Sequence, residues 1–575
     1  MRSFEFPFDW YRKFARHWLF WLGVPIALYS WTLTGPLLSD DLHLILKAER
    51  YLRGESDRFE LYRFAASDEE WRQLRDRGVI PWWAPPTGRL DFFRPMMELS
   101  FLLDVRFFGR NPLGFRLVSM GFFVVALCCV RRLFRAAGAD EVHAGTATYF
   151  YGLSQTVTPP VTWMCNRQDL LVVIGVTVAA TAYWEAVRRP RVTQLFLAMG
   201  AFLFALLSKE VAIALAGVVG LHEIIARRRP DARSGRRMAC WIALALALMA
   251  AGYLSYYVYS RPWALQVASG SDGGSSQFGR QLPLSLLLYA AVWTIGFPID
   301  VLHAATNTQA LAVGVIGGVL MLLTIRYLRR STHRDAAAMF FVLWAVFFIV
   351  PGLRALTAST RTLCTASVGW SYLLVGLFFA TRTGAPLAPL PMRAWLNAAN
   401  GVISAGCAIG TVIFMNATES RARERIQQTV ADLAAPLQDG DTLVVDRAES
   451  SFEMLCAGDR LEYLTGRRNV AALFLVGPGI DATLSREDDR TIMVRAKHGD
   501  LFSSPIHQLT LGPHWNPRRG QQFETRDFIA EIVEVSAEHH VTAMRFRFRE
   551  PFTTPRLHFW PPVTAANPTP RGAAP

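Results

Sequence analysis

The sequence predicts a mainly α-helical fold: a polytopic membrane bundle of about eleven spans, followed by a small α/β domain. Of the 575 residues, 52% are hydrophobic and 18% are charged, whereas soluble domains carry about 25% charged residues. Apolar runs approaching the roughly 20 residues that a bilayer requires recur along the first 415 positions. After residue 415 these runs stop, and short alternating stretches typical of strands follow.

Short arginine-rich loops separate the apolar runs and predict their orientation. The net charge of +14 lies largely in these loops, which excludes a nucleic-acid binder and places the loops and the N-terminus in the cytoplasm. Segment 283–303 is interpreted as an interfacial or re-entrant helix, because a full crossing would put basic loops on opposite sides. The predicted spans are 17–38, 113–130, 142–158, 170–187, 192–208, 211–226, 239–260, 309–325, 336–352, 363–380 and 394–415.

This topology predicts three regions along the chain. Residues 1–415 form the membrane domain, with a first outer loop at 39–112. Residues 416–562 form an α/β domain on the outer side, in the periplasm of a cell that has an inner membrane. The Pro/Ala-rich residues 563–575 are predicted to be disordered. The predicted strands include Thr442–Val445, Thr491–Ala496 and Met544–Phe548.

Charged residues at the outer ends of the spans are candidates for a functional site. Charges at membrane depth are costly and usually face a cavity or each other. Arginine and lysine on one membrane face suit a phosphate group, since they bind its oxygens with charge-assisted hydrogen bonds. Taken singly, each could equally be a local ion pair or an interfacial anchor. The cations are Arg94, Arg167, Lys209, Arg354 and Arg361, and the neighbouring carboxylates are Glu98, Asp169 and Glu210.

An acidic pair follows the first predicted span. Asp40 and Asp41 begin the first outer loop, and one of them could act as a general base towards an acceptor hydroxyl. The alternative is a helix cap, because Ser39 or Asp40 precedes a helical pattern. If Ser39 or Asp40 caps the helix, Asp41 is the better candidate for the base.

At these residues the chain resembles the GT-C superfamily of membrane glycosyltransferases, in particular its protein O-mannosyltransferase-like branch. The acidic pair carries this resemblance, together with four stretches in the same order. The branch also includes enzymes with tetratricopeptide repeats, which this chain lacks. The stretches are FRPMMELSFLLDVRFFGRNPLGFRLVSM (93–120), VTPPVTWMCNRQDLLVVIG (157–175), LLSKEVAIALAGVVGLHE (206–223) and STRTLCTASVGW (359–370).

The resemblance implies a hexosyl- or pentosyltransferase with a GT-C-like bundle, acting on the extracytoplasmic face. Such enzymes take the sugar from a polyprenyl phosphate and invert the anomeric centre. Asp41 or Asp40 would be the base, and no metal is required, although a divalent ion is compatible with the site. The tryptophans of the outer loop, Trp71, Trp82 and Trp83, would lie at the membrane interface beside the acceptor. Candidate phosphate ligands are Lys209, Arg361, Arg94 and Arg167, supported by Glu210, Asp169 and Glu98.

The sequence departs from the family pattern at two places. The family's His and Glu are replaced around Thr158–Thr162, and the Glu before the late arginine is replaced by Thr360. The sugar and the acceptor, whether glycan, lipid or protein, therefore stay open. Two other classes also stay open: a transporter or flippase of lipid-linked substrates, and a non-catalytic membrane scaffold.

Overall fold

The computed structural model describes residues 9–56, 59–226, 236–261, 274–295, 307–332, 336–350, 353, 359–379, 390–511 and 515–561. Within these residues the chain forms two compact units. Unit 1 comprises Met1–Gly35 and Phe93–Ile413, and unit 2 comprises Pro36–Phe92 and Phe414–Pro575. Arg354 and the predicted disordered tail 563–575 lie outside the described residues.

This division corrects the predicted domains. The boundary predicted at residue 416 lies close to the observed one, which falls inside the long helix Leu390–Ala431. The assignment of the whole first outer loop to the membrane domain is wrong, because Pro36–Phe92 forms one compact unit with the C-terminal part of the chain.

Unit 1 is helical. Each of the eleven predicted apolar runs overlaps a helix of the described residues, and the first run is broken into three short segments. Its helices and helical turns are Asp9–Arg16, Leu19–Gly23, Val24–Ser30, Trp31–Thr34, Pro95–Phe108, Pro112–Ala137, Glu141–Leu153, Gln155–Val157, Thr158–Thr162, Met164–Asn166, Gln168–Arg188, Val192–Leu206, Glu210–Ile213, Ala214–Ala226, Arg236–Ser260, Gly274–Ile295, Asn307–Thr332, Ala336–Ile349, Thr360–Leu363, Ala366–Phe379 and the first part of Leu390–Ala431.

Four stretches of helix in the described part of the chain are long and apolar enough to cross a membrane: Pro112–Ala137, Met164–Arg188, Arg236–Ser260 and Gly401–Ala431. Six shorter apolar helices accompany them. The number of eleven crossings therefore stays a prediction. The predicted re-entrant segment 283–303 begins within helix Gly274–Ile295, and its break near Pro298 lies outside the described residues.

Local sequence explains the helix ends and one of the closest helix contacts. Helix Pro112–Ala137 begins with Asn111, whose Oδ1 accepts from Leu113 N at 3.1 Å, and it ends at Gly138 with a left-handed φ of 105°. Gly175 lies against Ala205 of the neighbouring helix, where an added Cβ would approach the Ala205 Cβ to 2.8 Å. Small residues of this kind let membrane helices approach closely.

Unit 2 contains two β-sheets and a short hairpin. Strands β1 (Arg63–Ala65) and β2 (Leu90–Asp91) form the antiparallel hairpin. The remaining strands are β3 (Thr442–Arg447), β4 (Ala471–Val476), β5 (Ala482–Arg486), β6 (Thr491–Ala496), β7 (Gln522–Glu524), β8 (Phe528–Val535), β9 (Val541–Phe548) and β10 (Leu557–Trp560). The helices are Asp40–Leu52, Asp68–Asp76, Ser451–Met454, Ala457–Thr465, Pro505–Leu511 and the last part of Leu390–Ala431.

The two sheets of unit 2 differ in strand direction. A parallel sheet has the order β10-β3-β4, and an antiparallel sheet has the order β5-β6-β9-β8-β7. All three predicted strands are confirmed. In the antiparallel sheet Val494 pairs with Met544, and both side chains are buried in the core of the unit, as the alternating pattern of β9 requires.

Two tryptophans of the first outer loop belong to the core of unit 2. Trp82 makes edge contacts with Phe523, Phe528 and Phe546 and donates from Nε1 to the Phe474 carbonyl at 2.7 Å. Trp83 is fully buried. The prediction that these two residues lie at a membrane interface is therefore wrong. Their aromatic surface is covered by protein, and in Trp82 the polar indole nitrogen finds a backbone acceptor.

Candidate functional site

The acidic pair lies at the start of helix Asp40–Leu52 in unit 2. Ser39 occupies the N-cap position with a φ of 27°, but its hydroxyl makes no capping hydrogen bond. Instead, Asp41 Oδ2 accepts from Leu38 N at 2.9 Å, and Asp41 is 0% exposed. Asp40 is half-buried. The expected capping arrangement is thus wrong: the carboxylate bonded to backbone is that of Asp41, the residue predicted to be free.

The predicted cations of unit 1 meet at one short segment, residues 163–169. This segment contains the end of one helical turn and the start of helix Gln168–Arg188. Its side chains contact Arg94, Lys209 and Arg361, and Arg167 is itself part of the segment. The structure therefore brings together the four described cations that the sequence singled out, although they come from distant parts of the chain.

Two of these cations form ion pairs with predicted supporting carboxylates. Lys209 Nζ lies 2.7 Å and 2.9 Å from the two carboxylate oxygens of Asp169. Arg94 donates from Nη2 to Glu210 Oε1 at 2.7 Å and from Nε to Glu210 Oε2 at 3.3 Å. Arg94 Nη1 also donates to Gln168 Oε1 at 3.0 Å. Paired contacts of this kind fix the orientation of a guanidinium.

Glu98 has a more local position than its two fellow carboxylates. It is buried, and it lies in the first turn of helix Pro95–Phe108, where its backbone N–H donates to the Arg94 carbonyl at 3.0 Å. An acidic residue in the first turn of a helix interacts favourably with the helix dipole.

Arg167 has a structural environment. Its side chain is 0% exposed, and it forms an ion pair with Asp104. Nε donates to Ser119 Oγ at 2.9 Å, and Nη2 donates to the Phe115 carbonyl at 2.7 Å. A guanidinium enclosed and bonded in this way has little capacity left for a ligand. The prediction that Arg167 holds a donor phosphate is therefore not supported.

Arg361 differs from the other three cations. Its Nη1 donates to Asn166 Oδ1 at 3.3 Å, and its guanidinium lies over the Trp163 ring at 5.6 Å from the centroid. Within the described part of the chain it forms no ion pair with a carboxylate. Its positive charge is therefore not neutralised by an acidic side chain of this part of the chain.

Two buried N–H donors accompany Arg361. Asn166 Nδ2 and Trp163 Nε1 are inaccessible to solvent and have no hydrogen-bond partner among the described residues. A buried donor without an acceptor is costly, and such groups are frequent where a ligand binds. Neither residue was selected from the sequence. Their position on either side of Met164 and Cys165, next to the selected Arg167, was the available signal.

A metal site was left open by the sequence. Among the residues that the structure describes, no group of three or more His, Cys, Asp and Glu side chains is placed to hold a metal ion.

Comparisons with known proteins give structural similarity alone. No protein family and no curated protein matches the chain. The archaeal oligosaccharyltransferase AglB from Archaeoglobus fulgidus, solved with an inhibitory peptide and dolichol-phosphate, is similar with a TM-score of 0.41 and 14% identity. The alignment covers 80% of this chain and 65% of that one, so this chain spans less than two thirds of the archaeal protein's length.

ArnT from Cupriavidus metallidurans, solved with undecaprenyl phosphate, gives a TM-score of 0.41 and 11% identity. The alignment covers 79% of this chain and 85% of ArnT. Similarities with TM-scores below 0.5 carry no argument about the activity of this chain. What its own residues define is a protein with a multi-helix unit of apolar helices, which contains a cluster of buried cations, and an α/β unit, which contains an acidic pair.

Proposed function

We propose that the protein is a membrane glycosyltransferase that moves a sugar from a polyprenyl-phosphate donor to an acceptor hydroxyl, with inversion. The acceptor O–H proton passes to an aspartate while the acceptor oxygen attacks the anomeric carbon. The bond from that carbon to the phosphate oxygen breaks, and the polyprenyl phosphate leaves with the electron pair. Cationic groups must stabilise the negative charge that develops on this leaving group.

The observation that carries this proposal is the cluster of Arg361, Asn166 and Trp163. It combines a guanidinium that has no carboxylate partner in the described residues with two buried N–H groups that have no acceptor there. Three donors without an anionic partner favour a ligand with several acceptor oxygens. A phosphate monoester or diester meets this requirement, and arginine binds phosphate with good geometry. We therefore assign Arg361 as the main phosphate ligand.

Lys209 and Arg94 have a different role in the proposal. Each is held by a carboxylate of unit 1, so neither presents a full uncompensated charge. Lys209 is the more accessible of the two, with 17% of its side chain exposed. It would add a single charge to the phosphate site, whereas Arg94, Glu210 and Asp169 would hold the cations in position.

For the base we favour Asp40 over Asp41. A general base must be able to reach the acceptor hydroxyl, and Asp41 is completely buried with one oxygen bonded to the Leu38 backbone. A carboxylate that accepts a backbone hydrogen bond is also a weaker base. Asp40 is half-buried in the first turn of the same helix, and Asp41 would fix the start of that helix.

The topology belongs to the proposal as well. We place the N-terminus in the cytoplasm and residues 416–562 in the periplasm of a cell with an inner membrane. A fusion of alkaline phosphatase near residue 440 should be active, and a cytoplasmic fluorescent fusion at the same place should be dark. The reverse pattern would put the acidic pair on the cytoplasmic side and would contradict an extracytoplasmic reaction.

The decisive experiment is a transfer assay in membranes with radiolabelled polyprenyl-phosphate sugars and matched protein levels. The wild-type chain should transfer sugar, and Arg361→Gln should lose most of this activity. Arg132→Gln is the matched control, because Arg132 is an exposed arginine of unit 1 that pairs with Glu185 away from the cluster. Movement of intact lipid-linked sugar across vesicles without bond cleavage would support the flippase alternative. Absence of both activities with every donor tested would support the scaffold alternative.

A further inference from the structure

Unit 2 contains a cavity that has no role in the proposed phosphate site. Its volume is about 570 Å³, and all residues that line it belong to unit 2. Small-molecule sites typically have volumes of about 300–1,000 Å³. One wall is formed by helix Asp40–Leu52, which contributes His43, Lys47 and Arg50 at helical spacing. The opposite part of the lining includes Phe64 and Arg77.

The most specific feature of this cavity is a histidine–aspartate pair. His43 Nδ1 lies 2.7 Å from Asp459 Oδ2, and the imidazole stacks on Phe64 with 4.8 Å between ring centroids. Burial acts to raise the pKa of Asp459, but His43 and Arg77 outweigh it and hold this pKa at about 2. Asp459 is therefore a carboxylate at neutral pH that accepts the Nδ1 proton. This leaves Nε2 as the second ring nitrogen, and Nε2 has no partner among the described residues.

The cations of the cavity are already neutralised. Arg77 Nη2 donates to Asp459 Oδ1 at 2.8 Å and to Glu462 Oε2 at 2.9 Å. Arg50 pairs with the other oxygen of Glu462. An anionic ligand would have to compete with these buried carboxylates for their arginines. The cavity therefore favours an uncharged polar ligand.

Two buried atoms define what such a ligand must offer. His43 Nε2 and Arg77 Nε both lack a hydrogen-bond partner within the described residues. In the neutral imidazole Nε2 is an acceptor, whereas the Arg77 Nε–H is always a donor. A hydroxyl group can donate and accept at once, so a ligand with several hydroxyls satisfies both atoms, and the apolar face of Phe64 suits its C–H groups.

We propose that this cavity binds a saccharide, with one hydroxyl donating to His43 Nε2 and a hydroxyl oxygen accepting from Arg77 Nε. Asp40 precedes His43 by three residues and so lies on the same face of helix Asp40–Leu52. If the proposed function holds, this saccharide is the acceptor, placed one helical turn from the proposed base. The acceptor role rests on that function, whereas saccharide binding does not.

The test is binding of the full-length protein, in detergent micelles and without any sugar donor, to an array of immobilised mono- to tetrasaccharides. We expect the wild type to retain a defined subset of glycans. His43→Asn keeps a donor near the Nδ1 position and removes Nε2, so it should weaken binding about tenfold, the effect of one lost hydrogen bond. Arg77→Lys keeps the charge and removes Nε, and should weaken binding similarly. His540→Asn is the control, because His540 is an exposed histidine of the same unit.

Three results would overturn the proposal: no glycan retained, equal retention by wild type and both variants at equal melting temperature, or displacement of the glycan by inorganic phosphate, which would indicate an anion site. If His43→Asn fails to fold, Arg77→Lys carries the comparison. Binding without transfer from any polyprenyl-phosphate sugar would refute the proposed function and leave the cavity assignment intact. Transfer without glycan binding would do the opposite.

Discussion

Lys209 lies with its Nζ between the two carboxylate oxygens of Asp169, at 2.7 Å and 2.9 Å. Asp169 is nearly completely buried, and Lys209 is mostly so. Breaking a buried pair from one side leaves an uncompensated charge and costs about 3–5 kcal/mol. This contact therefore determines how variants of Lys209 must be interpreted.

The first prediction is a double-mutant cycle on this pair. Lys209→Met should lower the melting temperature of the detergent-solubilised protein strongly, because Asp169 is left buried without its cation. Lys209→Met combined with Asp169→Asn should recover most of the loss. Additive losses in the double variant would mean that the two side chains do not form a buried pair, and would return Lys209 to the phosphate ligands of first rank.

The second prediction separates Arg361 from Arg167. Arg361→Gln should raise the KM for the lipid donor by about 10- to 150-fold, since one charge-assisted hydrogen bond is worth about 1.5–3 kcal/mol, and should leave the melting temperature nearly unchanged. Arg167→Gln should instead destabilise the protein, because Asp104 loses its buried partner. Donor titrations and thermal melting of both variants check this. A stable Arg167→Gln protein with weakened donor binding would reverse the two assignments.

The third prediction concerns the acidic pair. Asp40→Asn should lower the transfer rate by about 10²- to 10⁴-fold, the usual loss when a general base is removed, with little change in stability. Asp41→Asn should cost about 1 kcal/mol of stability through the weakened bond to Leu38 N, as for loss of a helix cap, and less in rate. Transfer assays at saturating donor, paired with melting curves, measure both. A rate loss confined to Asp41→Asn would restore Asp41 as the base.

The sequence was informative where a pattern is local. Apolar runs predicted the helices of unit 1, and alternation predicted strand β9, because both patterns follow from the geometry of a single element. The cations at the span ends also converge on residues 163–169. Their partners were harder to predict, since Arg361 and Asn166 are separated by 195 positions and only the folded chain brings them into contact.

Other features depend on long-range packing that no local pattern contains. Trp82 and Trp83 have the composition of a membrane-interface segment, yet the aromatic side chains of β7, β8 and β9 cover Trp82. The pair of His43 and Asp459 joins residues 416 positions apart. Asp41 was assigned the wrong local role because its bond to Leu38 depends on the unusual φ of Ser39.

The fourth prediction concerns acid stability and His507. Burial lowers the pKa of His507 to about 3, whereas an unfolded histidine has a pKa of about 6.5. The folded state thus binds the proton less well than the unfolded state, so stability is complete above about pH 6.5 and falls as the pH drops towards 3. The imidazole packs 4.3 Å from the Trp83 ring, and Nδ1 contacts Ser504 Oγ at 2.7 Å, so a charge there has little solvation.

His507→Gln should therefore reduce the loss of melting temperature of the full-length protein between pH 7.5 and pH 4.5, even if its melting temperature at pH 7.5 is lower. The indole fluorescence of Trp83 gives a local readout, because the ring packs against this side chain. His540→Gln serves as the control, since an exposed imidazole has no such burial to lose. If wild type and His507→Gln lose the same number of degrees over this range, the acid sensitivity of unit 2 comes from other groups.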